Sequence, residues 1–191
     1  MRFDPKDLGD HYPWLTKIRN QLVLPVNKGE SLEGLLFPDT YYFDYDTGAK
    51  AVALKILDNF EVKALPFFGE EKNFFPKIIM ASLIEKEAAD YGEQQLIAGI
   101  FLKRIKINMP LQVDATVVYV KCAKTYFDCP SRSRLDYKID SPYNTYLYPG
   151  LTPGPISNPG LSAIRAALYP TKSEYLYYLS DSKTQKTIFS R

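Results

Sequence analysis

Two glutamates stand two residues apart in the run Ala81-Ser-Leu-Ile-Glu-Lys-Glu-Ala88. At about 100° of helical turn per residue they point in nearly opposite directions. Glu87 then falls within about 60° of Met80, Leu83, Ile84 and Tyr91, with Ile79 and Ala88 at the edges of that face. Glu85 belongs on the solvated side. A carboxylate aimed at an apolar interior either pairs with a cation or keeps its proton at neutral pH. One that keeps its proton can act as a general acid. One that satisfies backbone donors or an arginine is only structural, and this segment alone leaves both readings open.

Such an acid has to be held by surrounding elements. Residues 76–91 read as its own helix, opened at the first turn by Pro76. Helical spacing also predicts helices over Trp14–Leu22, over Gly48–Ala64, and over Glu93–Lys106 with Leu96, Ile97, Ile100, Phe101 and Ile105 facing inward. Residues 31–47 are aromatic, β-prone and broken by Pro38, which suggests a strand or an extended loop. Leu111–Val120 alternates and is β-branched, so it is expected to be a strand carrying Gln112, Asp114 and Thr116 on one side. Residues 121–160 hold most of the turn signals, and a structureless loop of that length is usually either functional or wrongly assigned as a loop. A short helix at Ser162–Leu168, stopped by Pro170, precedes a closing hairpin at Glu174–Leu179 and Thr187–Phe189. The expected class is α+β: three or more helices around the acid, packed with a small mixed or antiparallel sheet and leaving an elongated cleft.

Composition removes several functions. Among 191 residues, 24 are basic and 22 acidic, so no broad field attracts a polyanion. No basic run exceeds Lys103-Arg104, and no zinc or phosphate-loop spacing occurs, so no nucleic-acid partner is expected. A single histidine, His11, argues against a metal site and against a histidine-dependent triad. The longest clean apolar run, Ile78–Ile84, is far short of the roughly 20 residues of a membrane span. Fifteen Tyr and eleven Phe could stack on sugar faces, but such rings more often fill cores. Cys122 and Cys129 suit a small disulfide loop in an oxidising compartment, or two free thiols in a reducing one.

Four blocks in order carry a resemblance. They are Leu32-Glu-Gly-Leu-Leu-Phe-Pro-Asp-Thr-Tyr41, Ala81–Ala88, Met109-Pro-Leu-Gln-Val-Asp-Ala-Thr-Val-Val-Tyr119, and Ser141-Pro-Tyr-Asn-Thr-Tyr146 followed by Gly150-Leu-Thr-Pro-Gly-Pro-Ile-Ser-Asn-Pro-Gly160. With the ending Tyr175-Leu-Tyr-Tyr178 and Phe189-Ser190, they resemble the YceG-like (MltG) family of bacterial endolytic murein transglycosylases over about residues 31–191. Departures are local: Val113-Asp-Ala115 stands where the family commonly has a Thr-Asp-Pro-like run, and Pro155 interrupts the Pro-Gly-x-Ile segment.

The resemblance implies a lyase of cell wall biogenesis that terminates peptidoglycan glycan strands at the periplasmic face of the bacterial inner membrane. Its catalytic domain would be residues 31–191. Residues 1–30 would be a remnant or linker, the membrane anchor and most of a lysin-motif-like subdomain being expected outside this chain. Partners would be glycan strands and peptidoglycan synthases, with no cofactor. The family's catalytic acid maps onto Glu87. It would protonate the glycosidic oxygen and then take the proton of the muramic acid 6-hydroxyl, which closes a 1,6-anhydro ring. Gln112, Asp114, Thr116, Tyr143, Asn144, Thr145 and Tyr146 are expected to orient Glu87 or hold the sugar. Asp39 or Glu33 could offer a second carboxylate, and Asp39 or Asp114 facing Glu87 across about 5 to 9 Å would turn the mechanism towards two-acid hydrolysis. A non-catalytic glycan-binding module is the remaining alternative. An oxidising periplasm would favour a Cys122–Cys129 bridge beside the cleft.

Overall fold

Two local signals bracket Glu87. Pro76 lies in the first turn of a helix at Phe75–Ile84 (α3), where its missing N–H has no intrahelical partner to lose. Asp90 caps a second helix at Tyr91–Lys106 (α4), its carboxylate accepting from the Glu93 N–H at 3.0 Å. The computed structural model describes residues 8, 11–19, 31–69, 73–122, 136–180 and 187–191. Before α3 come helices at Pro13–Arg19 (α1) and Ala49–Lys63 (α2); after α4 come Asp114–Cys122 (α5) and Leu161–Leu168 (α6). Strands Tyr177–Ser180 (β1) and Thr187–Ser190 (β2) pair antiparallel, with Tyr178 opposite Phe189 and Leu179 opposite Ile188. The architecture is α+β, as expected.

The core lies where α6 packs on α3 and α4. Leu83, Ile84, Ile97, Phe101, Ala163 and Ala167 are all buried there. Burying each large aliphatic contributes roughly 1.5–3 kcal/mol, enough to hold α3 and α4 as a rigid pair. The same core includes Leu8, Tyr12, Trp14 and Leu15. The Trp14 ring stacks on Phe60 at 5.4 Å, and its Nε1 donates to Glu61 of α2 at 3.0 Å.

Two expectations are corrected. Residues 111–120 do not form a strand: Asp114–Cys122 is a helix. Thr116 Oγ1 donates to the Val113 carbonyl at 2.7 Å and its N–H to the same oxygen at 3.0 Å, closing a first helical turn. An acid in that turn suits the helix dipole, and burial of Val113 and Val117 overrides the strand preference of β-branched residues. The helix expected over 76–91 stops at Ile84. Glu87 N–H donates to the Ile84 carbonyl, three residues back, at 3.0 Å, so the chain tightens into a turn before Asp90 starts α4. Gln94 fixes that turn from α4, its Nε2 donating to the Ala88 carbonyl at 2.9 Å.

The turn-rich segment is tied to α3 by side chains. Ser82 Oγ accepts from the Ile156 N–H at 3.1 Å, and Ser157 Oγ donates to the Ser82 carbonyl at 2.9 Å. Asn158 Oδ1 accepts from the N–H groups of Gly34 and Leu36 at 2.7 and 3.1 Å. Gly34 is required there: its φ is +88°, and a Cβ would lie 2.5 Å from Pro155 Cγ. The first and last of the four blocks thus meet. Residues 31–47 form the extended-loop alternative rather than a strand. Cys122 ends α5 in a disulfide, while Cys129 lies outside the described residues.

Candidate active site

Glu87 lies half-buried in the turn after α3. The Tyr178 hydroxyl, from β1, donates to its Oε2 at 2.8 Å. Burial, followed by the Glu87 charge and this hydrogen bond, pushes the Tyr178 hydroxyl far above its ordinary range, so it stays a donor. The hairpin that delivers Tyr178 is anchored at both ends. Arg104 Nε donates to the Leu176 carbonyl at 2.8 Å, and Thr187 Oγ1 donates to Glu93 Oε2 at 2.6 Å. Tyr178 itself packs edge-on against Phe101 at 6.1 Å.

Asp114 faces the same space from the first turn of α5. Its Oδ1 accepts from the hydroxyls of Tyr146 at 2.5 Å and Tyr137 at 3.2 Å. Burial first, then Asp114, raises the Tyr146 hydroxyl as well, and the Glu87 charge adds to the effect. Arg104 is buried, but its guanidinium serves the main chain. Its Nη1 donates to the Leu111 carbonyl at 2.6 Å, fixing the segment that leads into α5.

Three cavities have Glu87 as a common wall. One, of about 480 Å³, is lined by Arg104, Gln112, Asp114, Tyr146, Tyr177 and Tyr178. A second, of about 630 Å³, is lined by Lys86, Asp114, Ala115, Val118, Tyr119 and Ile156. The third, of about 500 Å³, runs past Glu85, Lys86, Ala88, Gln94, Gly160 and Ser162. A separate hollow of about 440 Å³ between α4 and residues 170–174 holds none of the expected site residues.

Residues 7–191 match the YceG-like family. The chain belongs to that family. It is 42% identical over 168 residues to an endolytic murein transglycosylase of Bacillus subtilis (strain 168), covering 84% of this chain and 45% of the relative. A second endolytic murein transglycosylase, from Streptococcus pneumoniae serotype 2 (strain D39 / NCTC 7466), is 34% identical, covering 83% and 30%. This chain therefore spans less than half the length of these curated relatives. A crystal structure described as a yceG-like protein of Listeria monocytogenes superposes with a TM-score of 0.82 at 36% identity, over 98% of this chain and 61% of that one.

Within this YceG-like frame the expected residues separate into two groups. Glu87, Gln112, Asp114 and Tyr146 line one cavity, Gln112 with an exposed side chain and a φ of +53°. Thr116, Tyr143, Asn144 and Thr145 lie beneath it, buried. Thr145 Oγ1 accepts from the Val113 N–H at 2.9 Å and lies 3.0 Å from Thr116 Oγ1. Asn144 Nδ2 donates to the Ile139 and Tyr137 carbonyls at 2.8 and 3.1 Å, while the Tyr143 ring packs on Tyr119 at 5.2 Å. These four set the position of Asp114 and Tyr146 from below.

Two of the possible second acids, Asp39 and Glu33, line none of these three cavities. Asp39 pairs with Lys63 and accepts from Asn59 at 2.8 Å, which holds its carboxyl down at about 2. Glu33 accepts from the Tyr119 hydroxyl at 2.7 Å, and burial raises its carboxyl above the ordinary value. Glu85, expected on the solvated side, accepts from the Gly160 N–H at 3.1 Å at the start of α6. Sequence reasoning missed Tyr178, Tyr137 and Lys86 as site residues. Strand alternation, which turns Tyr178 inward while Tyr177 and Leu179 are exposed, was the signal available for Tyr178.

Proposed function

We propose that this chain carries the catalytic part of a lytic transglycosylase that cleaves peptidoglycan glycan strands internally, with Glu87 as its acid and then its base. The observation that carries the reading is Glu87 itself: half-buried, held by the Tyr178 hydroxyl at 2.8 Å, and shared by three confluent cavities. A chain bound along the cleft could pass through two cavities with its scissile bond over Glu87. Protonated Glu87 gives its proton to the glycosidic oxygen between muramic acid and the following glucosamine. The C1–O bond breaks, and the leaving sugar departs with a new hydroxyl. Glu87, now a carboxylate, takes the proton of the 6-hydroxyl as that oxygen bonds to C1. The Glu87 carboxyl is restored and the 1,6-anhydro ring is closed. Tyr178 steadies the carboxylate stage, which is the stage where a donor is worth most. The names of the relatives support murein as the substrate class.

A second reading keeps one specific support. Asp114 shares two of the three cavities with Glu87, so a two-carboxylate hydrolase using water is geometrically available. Mass spectrometry of purified sacculi after digestion separates the two: anhydro ends for the lyase, reducing ends for the hydrolase. Glu87→Gln should lower product release by at least about 10³-fold. Retained release of anhydro-muropeptides by that variant overturns the proposal.

A further inference from the structure

A linear glycan needs two openings from the reacting centre, one for each side of the broken bond; here three cavities reach Glu87. Two are lined mainly by groups suited to hydroxyls and amides: Gln112, Asp114 and Tyr146 in one, Glu85, Gln94 and Ser162 in the other. The third differs. Ala115, Val118 and Ile156 give it an apolar wall, the Tyr119 ring another, and Lys86 is its one cation among the described residues. Tyr119 is held in place there, its hydroxyl donating to Glu33 at 2.7 Å and its ring packing on Tyr143. Lys86 is exposed, and among the described residues no salt bridge occupies it.

We propose that this third cavity is a subsite for the peptide stem carried by the sugar at the cleavage point, which makes the preferred substrate a peptide-bearing strand. The inference rests on the glycan-cleaving reading above. The chemistry runs in matching order. A stem begins with the lactyl and alanyl methyl groups, which fit the Ala115, Val118 and Ile156 wall. Its acidic residue follows, and Lys86 meets it at the junction with the neighbouring cavity. A bare glycan offers nothing to that wall.

The test compares glycan strands bearing stems with the same strands stripped by an amidase, using wild type and Ala115→Leu. Ala115 is half-buried on α5 and lines the cavity, so the larger side chain takes up space in it. Intact strands should be cleaved about tenfold faster than stripped ones by wild type, the loss of buried methyl contacts setting that scale. Ala115→Leu should bring the ratio close to one. A second measurement is independent of turnover: N-acetylmuramyl-L-alanyl-D-glutamate titrated into Glu87→Gln protein, with binding followed by NMR. Adding Lys86→Glu should weaken it several-fold. Equal cleavage of both strands, or a ratio unmoved by Ala115→Leu, overturns the subsite while leaving the glycan-cleaving reading intact. Cleavage of neither strand by wild type overturns that reading, and the subsite with it.

Discussion

Removing one hydroxyl gives the sharpest test of how Glu87 works. Tyr178→Phe keeps the ring that packs on Phe101 and deletes only the 2.8 Å hydrogen bond to Glu87 Oε2. A hydrogen bond to a charged group contributes about 1.5–3 kcal/mol. At about 1.4 kcal/mol per tenfold in rate, kcat/KM for sacculus cleavage should fall roughly 10- to 150-fold. Glu87 is half-buried, so water can replace part of the lost donor, and the lower end of that range is expected. The bond favours the carboxylate, so its loss should also carry the alkaline limb of the rate profile to higher pH. The assay is release of soluble muropeptides from sacculi by chromatography, run across pH beside Tyr175→Phe. That residue lies outside the cavities, and its ring stacks on Phe189 without help from the hydroxyl. Full activity in Tyr178→Phe, or an equal loss in Tyr175→Phe, refutes the claim that the hydroxyl supports Glu87.

The scaffold makes predictions of its own. Ser82→Ala leaves the buried Ile156 N–H without its acceptor and should cost about 1–3 kcal/mol. Thermal unfolding would show this as roughly 2–4 °C per kcal/mol for a chain of this size, and an unchanged midpoint would count against the tie between α3 and the loop. Burial raises Glu33 above its ordinary 4.5, so the folded state binds the extra proton and stability falls as pH rises from about 4.5 through the raised folded value. Glu33→Gln should remove that fall, read from urea midpoints between pH 4 and 8, while keeping an acceptor for Tyr119. Asp39 has the opposite sign: lowered from 3.8 to about 2, it stabilises above the higher value and loses that contribution as pH falls through the lower one. Urea midpoints of Asp39→Asn should accordingly drop less than those of wild type between pH 4 and 2.

Much of the frame is legible in the residues because local signals and burial agree. Pro76, Asp90 and the apolar spacing of Glu93–Lys106 predict α3 and α4, and Pro170 marks the end of α6 within two residues. Residues 111–120 mislead because alternation and β-branching describe side-chain shape, whereas the Thr116 bonds to the Val113 carbonyl and burial of Val117 decide the backbone. Residues 136–160 read as an unstructured loop because their order comes from distant partners. Ser82, Asn158 and Thr145 bind main-chain groups 32 to 124 positions away, and no window of sequence displays that.

The two glutamates show the same division at the site. Helical phase sets Glu87 apart from Glu85 by assuming that one helix runs through both, yet α3 ends before either of them. In the folded chain each is half-buried, and what distinguishes them is the partner that reaches each one. Glu85 receives a main-chain N–H from Gly160, a fixed donor that ties the acid to the start of α6. Glu87 receives a phenol from a hairpin more than ninety positions along the chain, beside space large enough for a sugar. A donor of that kind can follow a carboxyl through loss and recovery of its proton, because the tyrosine keeps its own proton throughout. The turn matters for the same reason. By leaving the helix after Ile84, the chain brings Glu87 to the meeting point of the three cavities, where a residue inside α3 would have faced the buried packing against α6. The proton cycling proposed for Glu87 would therefore depend on two features absent from its own segment: the Gln94 bond that holds the turn and the Arg104 bond that holds the hairpin.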